Sequence, residues 1–187
     1  MRCFVAAEVS GEVRDALGTA AAKLRPLVAG AKWVPAGNIH MTLRFLGEVT
    51  EAEAAAAGDS LAAMAANLPP FRVSFRGLGV FPSERRATVL WAGVLEGERD
   101  LVRLAALVST ATSAIGNGGK EKPFVPHLTI ARFREPAEMG KLAVFSELKQ
   151  TELGICDIGG IVLMRSHLRP EGAQYEVLRA IPLGGSR

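Results

Sequence analysis

One order of hydrophobic patterns occurs twice along the chain. Residues 2–9 are a short apolar run without helical spacing, which reads as a strand. Ser10 then caps a helix whose first turn holds Glu12 and Asp15, with Val13, Leu17, Ala21, Leu24 and Val28 recurring at three- and four-residue steps until Gly30. A second strand is expected over 38–46. An Ala-rich helix over 51–66 is entered through Thr50 and left through Asn67-Leu68-Pro69-Pro70, and a half-buried strand over 71–75 follows. The second half repeats the order: a strand over 87–95, a helix over 98–115 carrying Leu101, Leu104, Val108 and Ile115, a strand over 124–133, a helix over 137–149 and a strand over 155–164. A last strand over 174–181 closes the chain. Two copies, roughly 1–78 and 86–165, are too few and too long for a solenoid. The prediction is α+β: one domain spanning 1–187 and made of two lobes related by a pseudo-two-fold. Each lobe is an antiparallel-type sheet with outer helices, and a functional cleft lies between them.

Composition narrows the chemistry. With 187 residues the chain can bury roughly 70% of its unfolded surface and needs neither disulfides nor a structural metal. Cys3 and Cys156 are far apart and form no CxxC pair, and three histidines are too few for a His-rich metal cluster, so no metal site is expected. No apolar run approaches the ~20 residues of a membrane span. The opening residues reach Glu8 before a signal core forms, so a cytoplasmic monomer is expected, away from membranes. Sixteen Arg against six Lys fit a phosphate-bearing partner, because guanidinium forks take phosphate oxygens in pairs. A net charge of only +3 points to a few contacts at a nucleic-acid end rather than a long track. A mildly basic, Arg-rich proteome would leave the same composition.

The middle strands of the two halves carry the chemistry. One reads Asn38-Ile39-His40-Met41-Thr42-Leu43-Arg44-Phe45, the other Pro126-His127-Leu128-Thr129-Ile130-Ala131-Arg132-Phe133. Strand side chains alternate, so His40 and Thr42 share one face and His127 and Thr129 share another, while the apolar residues point to the core. Two imidazoles beside two hydroxyls suit transfer at phosphorus. One neutral His takes a proton from the nucleophile and one charged His gives a proton to the leaving oxygen. The hydroxyls donate to non-bridging oxygens whose charge grows in the transition state. A cation would help there. Arg44 has the parity of His40 and Thr42, whereas Arg132 has the opposite parity from His127 and contributes only if the strand bends or ends. Phe124 is a candidate base-stacking platform. Trp33 and Trp91 read as lobe-packing residues and His167 as a surface-loop bystander. Ser166 has no nucleophile elbow around it. No phosphate-binding loop or dinucleotide fingerprint occurs, so no cofactor is expected.

These motifs resemble the two-histidine (2H) phosphoesterase superfamily, and within it the bacterial and archaeal RNA 2′,3′-cyclic phosphodiesterases, also called 2′-5′ RNA ligases. The resemblance runs through Arg2-Cys3-Phe4-Val5-Ala6, the two His-x-Thr strands, Gly79-Val80-Phe81-Pro82, Val89-Leu90-Trp91-Ala92-Gly93-Val94 and 166–175. It implies that His40 donates a proton to the leaving ribose oxygen, that His127 activates water and that Thr42 and Thr129 hold the phosphate. It implies hydrolysis of an RNA terminal 2′,3′-cyclic phosphate to a 2′-phosphomonoester without metal or ATP, with reversible 2′-5′ joining of RNA ends such as tRNA halves. Met41 and Ile130 stand where Leu is usual, and Gly37 where an acidic residue often precedes Asn38. All three leave the His and Thr faces intact. Two other readings share the cleft: a non-catalytic RNA-end-binding module, and a phosphodiesterase for another cyclic phosphate or a 2′-5′-linked nucleotide.

Overall fold

The computed structural model describes residues 1–116, 123–169 and 172–185. Its elements are β1 (Arg2–Glu8), α1 (Gly11–Leu24), β2 (Ala31–Trp33), β3 (His40–Glu48), α2 (Glu51–Ala65), β4 (Phe71–Phe81), β5 (Ala87–Glu96), α3 (Glu98–Ala111), β6 (His127–Ala137), α4 (Ala143–Leu148), β7 (Glu152–Ile158), β8 (Gly160–Arg169) and β9 (Gly172–Pro182). Helices α1 and α2 start where their caps dictate. Ser10 Oγ accepts from the Val13 amide, and Thr50 and Glu53 form a reciprocal capping box. None of the helices is long and apolar enough to cross a membrane, among the described residues.

Two antiparallel sheets form, in the orders β3-β1-β8-β9 and β2-β6-β5-β4-β7. This is the expected mixed architecture with two facing sheets, but neither sheet belongs to one half of the sequence. β4, the last strand of the first repeat, pairs with β5, and β8 from the second repeat pairs with β1. The helices cross over as well. α3 packs on β3 beside α2, which also covers β9, while α1 and α4 cover β7 and β4. One continuous apolar cluster holds the buried faces of both sheets together, with Phe75, Leu90, Leu128 and Ile130 beside Leu17, Met41, Leu61 and Leu101. A second, small cluster of Phe4, Ala6, Val162, Met164 and Tyr175 lies on the opposite face of β1 and β8. Cys3 and Cys156 are buried and free, and burial pushes both thiols up.

Several element boundaries depart from the sequence pattern. The apolar run 155–164 is two strands, because the chain changes sheets at Gly159 while keeping a buried residue on either side, Ile158 and Ile161. The helix expected over 137–149 is only Ala143–Leu148. The preceding turn is held by the Glu84 carbonyl, which accepts from the amides of Met139 and Gly140. Pro123 and Pro126 lack amide donors, so the strand expected from 124 begins at His127. The helix expected through 115 stops at Ala111. β4 runs on to Phe81 through register breaks that hide its alternation, one of them at Gly77 with φ +76.

At Gly77 a Cβ would stand 2.3 Å from the Lys149 carbonyl oxygen, and backbone cannot yield there, whereas Gly18 on α1 has open space. Gly77→Ala is expected to lower stability by about 2 kcal/mol or more and Gly18→Ala to raise it by roughly 0.5–1 kcal/mol. Urea denaturation of both variants checks the two signs.

Candidate active site

The two motif strands each carry one inserted residue at the same place. On β3, Thr42 faces Ala6 and Arg44 faces Val5, leaving Leu43 extra. On β6, Thr129 faces Trp91 and Ala131 faces Leu90, leaving Ile130 extra. Residues directly opposite one another share a face, so each bulge turns over everything beyond it. Leu43 and Arg44 both fall on the core side with Val5, and the Arg44 guanidinium donates to the Ser109 carbonyl and, at 3.0 Å, to Ser109 Oγ on α3. Phe45 comes round to the face of His40 instead. Its ring is 58% exposed and lies 6.0 Å from that of Phe4. On β6 the same step buries Ile130 and Ala131 and brings Arg132, opposite Val89, onto the face of His127 and Thr129. The parity expected for both arginines is therefore reversed. Arg44 leaves the histidine face and Arg132 joins it.

The two imidazoles are anchored alike. His40 Nδ1–H donates to the Asn38 carbonyl and His127 Nδ1–H to the Val125 carbonyl, both at 2.7 Å. A carbonyl only accepts, so each Nδ1 carries hydrogen and each Nε2 is the atom left to take up or release a proton. Asn38 is itself tied down, its Nδ2 donating to the Ala173 carbonyl at 3.1 Å. The surroundings differ. The His40 ring stacks on Phe4 (4.9 Å, 28°) and meets Tyr175 edge-on (5.1 Å, 84°), while His127 meets Phe81 edge-on (5.4 Å, 89°). Burial among these rings holds the His40 pKa below the usual histidine value, with the Arg14 charge adding to the fall and the Asn38 carbonyl opposing it.

β3 in one sheet and β6 in the other lie in contact. The structure thus groups His40, Thr42 and Phe45 on one strand and His127, Thr129 and Arg132 on its neighbour. Phe124 packs against the main core, as does Trp33 with Arg25 5.5 Å above its ring. Trp91, expected in lobe packing, lies on the histidine face opposite Thr129. It stacks on Phe81 at 5.0 Å and covers Gly79, where a Cβ would meet the indole at 2.3 Å. His167 is on β8, not in a loop. It faces away from Met164 and lies 2.9 Å from the Glu176 carboxylate. Sequence reasoning misses Asn38 and Phe45 as parts of this site. The consecutive apolar pair Ile130-Ala131, which breaks strict alternation, is the one local sign of a bulge. Among the described residues no three His, Cys, Asp or Glu side chains converge as metal ligands.

Comparison with known proteins gives this geometry a family. Residues 8–91 match the model described as LigT like Phosphoesterase. The RNA 2′,3′-cyclic phosphodiesterase of Aquifex aeolicus is 38% identical over 155 residues, covering 82% of each chain. That of Thermus thermophilus is 37% identical over 193 residues, covering 99% of this chain and 91% of its own. Of solved structures, TT0787 of Thermus thermophilus aligns with a TM-score of 0.84 at 34% identity over the whole of both chains. Escherichia coli LigT complexed with 3′-AMP aligns at 0.74 and 25% identity over 97% of this chain and 96% of its own. The chain belongs to the LigT-like phosphoesterases of the two-histidine superfamily.

Proposed function

We infer that the chain hydrolyses RNA terminal 2′,3′-cyclic phosphates to 2′-phosphomonoesters by paired histidine acid–base catalysis. The observation that carries this reading is the matched pair of Nδ1–H to carbonyl anchors, which aim two free Nε2 atoms from faces that each also hold a threonine. The relatives named as RNA 2′,3′-cyclic phosphodiesterases support the substrate.

In this scheme His127 Nε2 takes a proton from water as its oxygen bonds to phosphorus. The P–O3′ bond breaks opposite, and His40 Nε2–H gives its proton to O3′, leaving a 3′-hydroxyl and a 2′-phosphate. Thr42 and Thr129 donate to the non-bridging oxygens, and Arg132, brought onto this face by its bulge, supplies the cation that neutral donors lack. Phe45 is better placed than Phe124 to take a base, since it is exposed on the histidine face while Phe124 is half-buried against the core. With an RNA 5′-hydroxyl in place of water, the same bonds exchange to give a 2′–5′ linkage. No step calls on a metal or a nucleotide cofactor.

His40→Ala and His127→Ala are each expected to keep the wild-type circular dichroism and to lose about 10²–10⁴ in kcat on a nucleoside 2′,3′-cyclic phosphate. EDTA leaves the wild type unchanged, and phosphorus NMR shows the 2′-monoester as product. Activity surviving both substitutions, or a 3′-monoester, contradicts the scheme.

The pH dependence follows from the lowered His40 pKa. As the donor, His40 must be charged, and its charged fraction falls as pH rises through a value below about 6.5. The basic limb of the kcat/KM profile is therefore expected below that value. A profile flat from pH 6 to 8 contradicts these roles.

Phe45→Ala is expected to raise KM by roughly fivefold or more with little change in kcat, since stacking one base is worth about 1–3 kcal/mol. Phe124→Ala is expected to lower the melting temperature instead. Steady-state kinetics and thermal denaturation of the two variants separate these outcomes.

A further inference from the structure

The two sheets match strand for strand except at one edge. The order β3-β1-β8-β9 corresponds to β6-β5-β4-β7, and only the second sheet continues outward, to β2 beyond the histidine strand. β2 is three residues long. Ala31 and Trp33 face the buried Phe133 and Ala131 and pack on the core. Lys32 between them faces Arg132, so both exposed cations stand on the face that carries His127 and Thr129. The bulge makes Arg132 the next residue along that face after Thr129, about 7 Å on, and Lys32 lies one strand further out, about 5 Å away. Among the described residues no carboxylate pairs with either cation. The opposite edge of the cleft has no such pair. There the equivalent position to Arg132 is Phe45, and no strand lies outside β3 among the described residues.

We propose that β2 is a backbone rail for the RNA strand leading to the reacting end, with Lys32 taking the phosphate upstream of the cyclic one and Arg132 bridging the two. The substrate class this selects is an oligoribonucleotide with a 2′,3′-cyclic end, in preference to a free nucleoside cyclic phosphate. A lone cyclic nucleotide has one phosphate, which Thr42, Thr129 and Arg132 already take, so Lys32 gives it nothing. The inference rests on the cyclic-phosphate reading of the site and extends it outward by one residue.

The test compares a six-nucleotide RNA ending in 2′,3′-cyclic phosphate with a nucleoside 2′,3′-cyclic phosphate, using wild type, Lys32→Ala, Lys32→Arg and Lys23→Ala. Lys23, exposed on α1, removes the same charge from the outer surface. Lys32→Ala is expected to raise KM for the oligonucleotide about threefold to fivefold and to flatten the dependence of log kcat/KM on log salt by about 0.7. It leaves the mononucleotide kinetics unchanged. Lys32→Arg restores the oligonucleotide KM, and Lys23→Ala matches wild type. Fluorescence anisotropy of the same labelled RNA gives an independent affinity, so the rail is read out even if turnover is absent. Failure of the wild type to hydrolyse either substrate defeats the functional reading and not the rail. An unchanged oligonucleotide KM, salt slope and affinity in Lys32→Ala defeats the rail alone. An equal effect on the mononucleotide, or in Lys23→Ala, also overturns it.

Discussion

Just past its threonine, each motif strand slips by one residue against its neighbour, and the contents of the cleft follow from that mismatch. Up to Thr42 and Thr129 the strands run in plain alternation, which presents His and Thr together. At Leu43 and Ile130 the ladder slips, and two successive side chains enter the core. The slip sends Arg44 to α3 and exchanges it for Phe45, while in the second strand it buries Ala131 and releases Arg132. Had both strands stayed in register, strict alternation would have put Arg44 on the face of His40 and Phe133 on the face of His127, in place of Phe45 and Arg132. A symmetric backbone device thus yields an asymmetric pair of walls, one aromatic and one cationic.

The same division suits a reaction that needs its two histidines in different protonation states. Backbone carbonyls fix both rings in the same tautomer, so symmetry supplies the geometry. Packing makes their surroundings differ, because His40 is wedged between Phe4 and Tyr175 whereas His127 meets a single ring, that of Phe81. A buried imidazole among aromatic rings loses hydration that favours its charge. In the proposed scheme a bound phosphate would offset that loss, coupling the charge of His40 to the presence of substrate.

The sequence makes the His and Thr faces legible because they lie before the bulges, where period-two alternation still holds. It also shows the repeat itself, since each helix and strand carries its own apolar period. What lies beyond Thr42 and Thr129 is not local information. Whether Arg44 or Phe45 faces the cleft depends on how β3 pairs with β1. The turn that shortens α4 likewise depends on the carbonyl of Glu84, more than fifty residues away. Strand exchange is hidden for the same reason, because the pattern of β4 fits β1 or β5 equally well. β2 escapes notice because three residues carry no period.

That exchange has a consequence for how such a protein is put together. Each half lends two strands to the other's sheet, β2 and β4 from the first and β8 and β9 from the second, and one helix to the other's outer face, as two subunits do when they swap arms. Neither half can complete a sheet alone. Joining them in one chain through the short turn between β4 and β5 turns what would be an encounter between two molecules into a step within one. The two histidine strands, β3 and β6, are therefore supplied in a fixed one-to-one ratio by a single chain.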